Sequence, residues 1–179
     1  MSTLRLGLAI GLSAFMVGSA PASFGPQQTP SPLQEVAALL LGTWTGEGVY
    51  AADYPGVGRK GDTFTSRHTC DWVAGEAALR CEGNFGPAAF TDLYWWDAAS
   101  REVRTVGINS GGNWAEGTIS KQGARLVWSS AGSLSDGRKV EYRGETTFQD
   151  NGNTYVAAGA TILGGVASEF SDVYKRAGR

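Results

Sequence analysis

The sequence predicts an all-β fold: a single up-and-down antiparallel barrel of about ten strands with a short N-terminal helix. Three observations carry this expectation. From about residue 43 onward the apolar residues recur at period two, the spacing of half-buried strands. Turn signals cut that pattern at short, regular intervals: "YPGVGRKG", "AGEA", "FGPA", "DAAS", "SGGN", "KQGA", "GSLSDG", "DNGN" and "LGG". The chain also holds 26 glycines and no second helical pattern, so its strands are joined by tight turns. Strands so connected close on themselves, because closure removes exposed edges. A sandwich is the second architecture that fits the pattern.

Taken in order, residues 1–22 read as a secretory signal peptide. Arg5 supplies a basic start, Leu6 to Ala20 form an uncharged apolar run, and "APA" at Ala20 to Ala22 has the form of a cleavage site. The run is about 15 residues long, short of the roughly 20 needed to cross a bilayer. No later stretch is apolar enough to span, so the mature chain is expected to have no transmembrane segment and to be periplasmic or secreted. Residues 23–32, "SFGPQQTPSP", form a flexible lead-in, and the domain runs over 33–177. In "SPLQEVAALLLG" Ser31 is placed as N-cap, Pro32 opens a helix of one to two turns and Gly42 stops it. Strands are expected at 43–50, 62–73, 77–85, 89–97, 101–109, 113–120, 124–131, 138–149, 154–162 and 168–177. A formal net charge of −2 over 179 residues, with Lys and Arg scattered, argues against nucleic acid and anionic membranes as partners.

The stretch Thr63 to Phe85 holds both cysteines and the only histidine. A hairpin centred on Gly75 and Glu76 sets Cys70 opposite Cys81, with both side chains on one face. If the connection is the four residues "AGEA", the pair falls on a non-hydrogen-bonded site, where strands come closest. In an oxidising compartment they form a structural disulfide. The spacing is not C-x-x-C and one histidine cannot complete a metal site, so no metal is expected. Alternation puts Phe64, Ser66, His68, Cys70 and Trp72 on one apolar, inward face. His68 lies across from Gly83, whose missing side chain leaves room beside the imidazole. An inward histidine is either a satisfied core residue or a polar contact for a ligand. On 138–149, Glu141, Arg143 and Glu145 alternate with apolar residues and read as a solvated face.

Six tryptophans are many for one domain: Trp44, Trp72, Trp95, Trp96, Trp114 and Trp128. They either fill the core or line a cavity. Trp95 and Trp96 are adjacent, so one faces in and the other out. His68, Trp72, Trp96, Tyr94 and Phe64 are the expected ligand-binding residues.

"LLGTWTGEGVY" resembles the opening strand of calycin-type barrels, the superfamily of lipocalins and fatty-acid-binding proteins, and more closely that of nitrobindin-like haem barrels. Gly42-Thr43-Trp44 matches their Gly-x-Trp. The phrases "WVAGEAAL", "LYWWDAASREVRTV", "DGRKVEYRGETTF" and "FSDVYKR" are also similar to an uncharacterised bacterial family of exported barrels. The resemblance implies a calycin-like barrel over about residues 35–177. It further implies that Lys175 or Arg176 packs over Trp44 at the closed end. Nitrobindin-like proteins ligate haem through a histidine in the C-terminal part of the barrel, and residues 154–179 hold none, so neither haem nor another cofactor is expected. Fatty-acid-type barrels hold a carboxylate with buried Arg and Tyr; Arg104 and Arg125 are instead expected to face out.

Three functional classes follow. The favoured one is an exported, non-enzymatic barrel binding a small, largely apolar ligand in its interior. The others are a cofactor-free isomerase or hydrolase using His68 with an inward carboxylate such as Asp92, and an interaction module with a filled barrel.

Overall fold

The structure is a computed structural model and describes residues 29–178. The expected signal peptide, residues 1–22, and most of the lead-in lie outside the described residues. The chain runs α1 (Pro32–Leu40), β1 (Gly42–Val49), β2 (Thr63–Val73), β3 (Ala78–Phe85), β4 (Ala88–Asp97), β5 (Glu102–Asn109), β6 (Trp114–Gln122), β7 (Arg125–Ser133), β8 (Lys139–Gln149), β9 (Thr154–Leu163) and β10 (Val166–Arg176). Each strand pairs antiparallel with its neighbours in sequence, and β1 pairs with β10. The sheet is therefore a closed up-and-down barrel rather than a sandwich. All ten expected strands are present, and they differ from the expectation only at their ends. The largest shifts, two residues each, are at β10, which starts at Val166 because the "LGG" turn is tighter than assumed, and at β6 and β7, which run on to Gln122 and Ser133.

Helix α1 closes one end. The Ser31 hydroxyl accepts a hydrogen bond from the Gln34 backbone N–H, the Gln34 side-chain oxygen accepts one from the Ser31 backbone N–H, and Pro32 opens the first turn. This reciprocal cap satisfies donors that a nine-residue helix would otherwise leave bare. Leu33, Val36, Ala37 and Leu40 are buried on the face turned to the barrel, where they meet Leu79, Val103, Ile119 and Leu126. Trp44 is fully buried beneath them and donates its indole N–H to the Leu40 carbonyl at 2.8 Å. The Arg176 guanidinium lies 4.2 Å over the Trp44 ring and donates to the carbonyls of Leu41 and Gly152. Arg176, and not Lys175, is thus the basic residue over the tryptophan. Lys175 points out, as strand alternation requires once Arg176 points in. Gly42 has φ +110°, and a Cβ there would meet Arg176 Nη1.

The opposite end lies under the long β1–β2 connection. Tyr50, Ala51, Ala52 and Val57 of this segment are buried. Tyr54 Oη is hydrogen-bonded to Thr161 Oγ1 of β9 at 2.8 Å. Asn113 donates to the Pro55 carbonyl, and Arg138 to that of Asp53. The segment is therefore fastened to β9 and to the β5–β6 and β7–β8 turns.

Between β2 and β3, Cys70 and Cys81 are register partners joined by a disulfide, with Cα atoms 4.0 Å apart. That is the close approach of a non-hydrogen-bonded pair. Ala74–Ala77 form the four-residue turn, and Ala74, Gly75 and Glu76 all take positive φ. The turn's geometry thus sets the register that makes the bridge possible.

Candidate ligand-binding site

The barrel holds a cavity of about 390 Å³ that runs from Leu40 at the helix end to Asn109 and Asn113 at the β5–β6 turn, where the exposed Ile108 and Trp114 border it. Alternation builds it. β2 sends Ser66, His68 and Cys70 inward, β4 sends Phe90, Asp92 and Tyr94, and β7 sends Trp128 and Ser130. β8, β9 and β10 complete the wall with Tyr142, Tyr155 and Tyr174. A second cavity of about 250 Å³ lies towards the β1–β2 segment, lined by Tyr50, Tyr54, Phe64 and Asp172. The two share Phe85, Asn109, Tyr142 and Tyr174, so they are adjoining parts of one interior.

His68 is 8% exposed and sits in an aromatic cage. Its ring centroid lies 5.4 Å from that of Tyr174 and 5.8 Å from that of Phe90. Nε2 is hydrogen-bonded to Tyr155 Oη at 3.1 Å, and Nδ1 is buried with no partner among the described residues. Either tautomer leaves Nδ1 unpartnered. Burial pushes the imidazole pKa down to about 4, so the ring is neutral at physiological pH. Gly83 does pair with His68, but the room beside the imidazole is not open as expected. A Cβ at Gly83 would meet His68 Cα and Cβ at 2.5 and 2.6 Å. The missing side chain is used up by close approach of β2 to β3.

Two carboxyls face the interior. Asp92 follows Cys81 across the β3–β4 register and lies opposite Gly107 on β5, where a Cβ would collide with its carboxylate. Burial pushes its pKa up to about 7, and no donor or cation offsets that effect. Asp172 stands beside Gly48, with its Oδ1 buried and unpartnered. Burial raises its pKa to about 6, against a smaller downward pull from the Val49 backbone N–H. Burial also raises the hydroxyl pKa values of Tyr94, Tyr142, Tyr155 and Tyr174, leaving these groups neutral donors. Among the described residues, no lysine or arginine lines either cavity. Among the described residues, no group of three or more His, Cys, Asp or Glu side chains gathers to hold a metal ion.

Of the expected ligand-binding residues, His68 and Tyr94 line the main cavity and Phe64 lines the second. Trp72 and Trp96 face inward but pack against the buried cluster under α1, clear of both cavities. Trp128, Tyr155, Tyr174, Phe90 and Asp172 were not among the expected residues. A signal for two of them existed. Placing Arg176 over Trp44 fixes the inward parity of β10 and with it Tyr174 and Asp172. Arg104 and Arg125 lie on the outer face, with side chains 33% and 50% exposed.

No family model matches the chain, and no curated protein matches its sequence. The closed ten-strand barrel is compatible with a calycin-like fold.

Proposed function

We propose that the chain is an exported, calycin-like barrel that binds a small, largely apolar molecule in its interior. The observation that carries this reading is the main cavity: about 390 Å³, walled by aromatic rings and holding the unpartnered His68 Nδ1. Ligand sites of this kind combine apolar burial with a few orienting polar groups. The volume weighs against a filled barrel acting through its surface alone. A catalytic role for His68 has less support, because Nε2 is engaged by Tyr155 and burial opposes protonation. Haem also fits poorly: the one histidine is caged by Phe90 and Tyr174, and β9 and β10 offer none. The Cys70–Cys81 disulfide supports export, since such bonds persist in oxidising compartments.

Native mass spectrometry of the mature protein, purified from a periplasm without refolding, tests the reading. A reproducible added mass that is lost on denaturation is expected. A bare protein whose melting temperature no small molecule raises would refute it.

A further inference from the structure

We propose that the ligand is a small organic cation, an amine on an aromatic or apolar body, with the Asp92 carboxylate as its counter-ion. This rests on the small-molecule-binding reading and names the class of molecule that the cavity selects.

Asp92 and Asp172 both face the interior, and among the described residues no lysine or arginine lines it. Arg176, which turns inward, is committed to Trp44 and to the carbonyls of Leu41 and Gly152 at the closed end. An anionic ligand would therefore meet two carboxyls without a compensating cation. A cation meets the reverse.

Geometry narrows the choice to Asp92. It occupies the β4 position between Phe90 and Tyr94, and Gly107 opposite leaves space for its carboxylate. Among the described residues it has no hydrogen-bond or ion-pair partner, although burial without one is costly. A carboxylate lacking protein partners inside a cavity gains its counter-charge when the occupant brings one. The surrounding rings suit the same occupant. Phe90, Tyr94, Trp128 and Tyr155 present aromatic surface to the cavity, and ring faces attract cations. His68, neutral and with an unpartnered Nδ1, supplies a polar contact without adding opposing charge. Asp172 extends the negative potential into the second cavity beneath the β1–β2 segment.

The test is a set of isosteres that differ only in charge: 2-phenylethylamine, 2-phenylethanol and phenylacetate, titrated calorimetrically into the mature protein. At about pH 8 the amine is protonated and Asp92 is ionised. The amine is expected to bind at least about tenfold tighter than the alcohol, with no detectable binding of the acid. Asp92→Asn is expected to bring the amine to the level of the alcohol, and Asp172→Asn to weaken it by a smaller factor. The comparison on the unmodified protein stands even if a variant does not fold. Equal binding of amine and alcohol, or an amine preference that survives Asp92→Asn, overturns the inference and leaves the small-molecule reading intact. If no member of the set binds, the inference falls and the small-molecule reading loses support with it.

Discussion

Replacing Asp92 by asparagine is expected to stabilise the unliganded protein at high pH and to leave it nearly unchanged at low pH. The side chain lies in the barrel wall with no donor or cation beside it, and burial lifts its pKa from 3.8 to about 7. A folded state with a raised pKa holds its proton more tightly than the unfolded chain does. That advantage is complete below pH 3.8 and is lost as pH rises to about 7. At about 1.4 kcal/mol per unit, a shift of about three units is worth about 4 kcal/mol, and water in the cavity reduces this to about 2–4 kcal/mol. Asparagine matches the protonated acid in shape and carries no charge, so the variant escapes the penalty. For a domain of this size the gain amounts to about 5–15 °C in melting temperature. The assay is thermal unfolding of both proteins, followed by circular dichroism at about pH 8 and about pH 4, on either side of the folded pKa. A loss of stability at the higher pH would refute the reasoning, since it would reveal an internal partner for the carboxylate. An equal gain at both values would refute it too, because the gain would not come from charge.

Other perturbations probe the closed end, the staple and the histidine. Cys70→Ser with Cys81→Ser should lower stability by about 3 kcal/mol in urea unfolding, the chain-entropy value for so short a loop. An unchanged midpoint would mean that register alone holds the hairpin. Arg176→Met should cost about 1–3 kcal/mol by removing the cation over Trp44 and the donors to Leu41 and Gly152. A variant as stable as the parent would show that α1 closes this end unaided. His68→Gln should raise stability over the parent at about pH 4 and leave it nearly unchanged above pH 6.5, a difference worth about 3 kcal/mol for a buried imidazole whose pKa falls to about 4. An equal difference from the parent at both pH values would show that it does not come from the imidazole's charge.

The elements of this fold were readable because each has a local signature. Period-two alternation is clear in strands such as β8 and β10, and the turns that separate the strands are rich in residues suited to positive φ, such as Gly75, Gly123 and Gly137. The disulfide was readable for the same reason, since the "AGEA" turn sets the register of its hairpin. What alternation cannot convey is depth along the barrel. Trp72 and Trp96 obey the inward parity, yet they sit where α1 plugs the end, and nothing in a period of two says how far a helix reaches in. The path of the β1–β2 segment was equally unreadable. Its anchors at Thr161, Asn113 and Arg138 lie far away in sequence and follow no repeat. Asp172 and Tyr174 were accessible in principle, because their parity follows from that of Arg176.

The interior holds titratable groups that work against one another, and this shapes how the protein responds to pH. Asp92 and Asp172, with pKa values raised to about 7 and about 6, favour the folded state in acid and withdraw that support as pH rises. His68, with its pKa lowered to about 4, does the opposite: it favours the folded state above pH 6.5 and withdraws support as pH falls. Between about pH 4 and pH 7 the two tendencies offset each other, so the parent protein should show a shallow profile. Each single variant then exposes the other group. Asp92→Asn should steepen the loss of stability in acid, and His68→Gln should steepen the loss towards neutral pH. A cationic occupant breaks this balance from one side only, because it stabilises the ionised carboxylates and leaves the imidazole neutral. Its binding should therefore strengthen as pH rises through about 6 to 7, the range over which the buried acids of the empty barrel ionise.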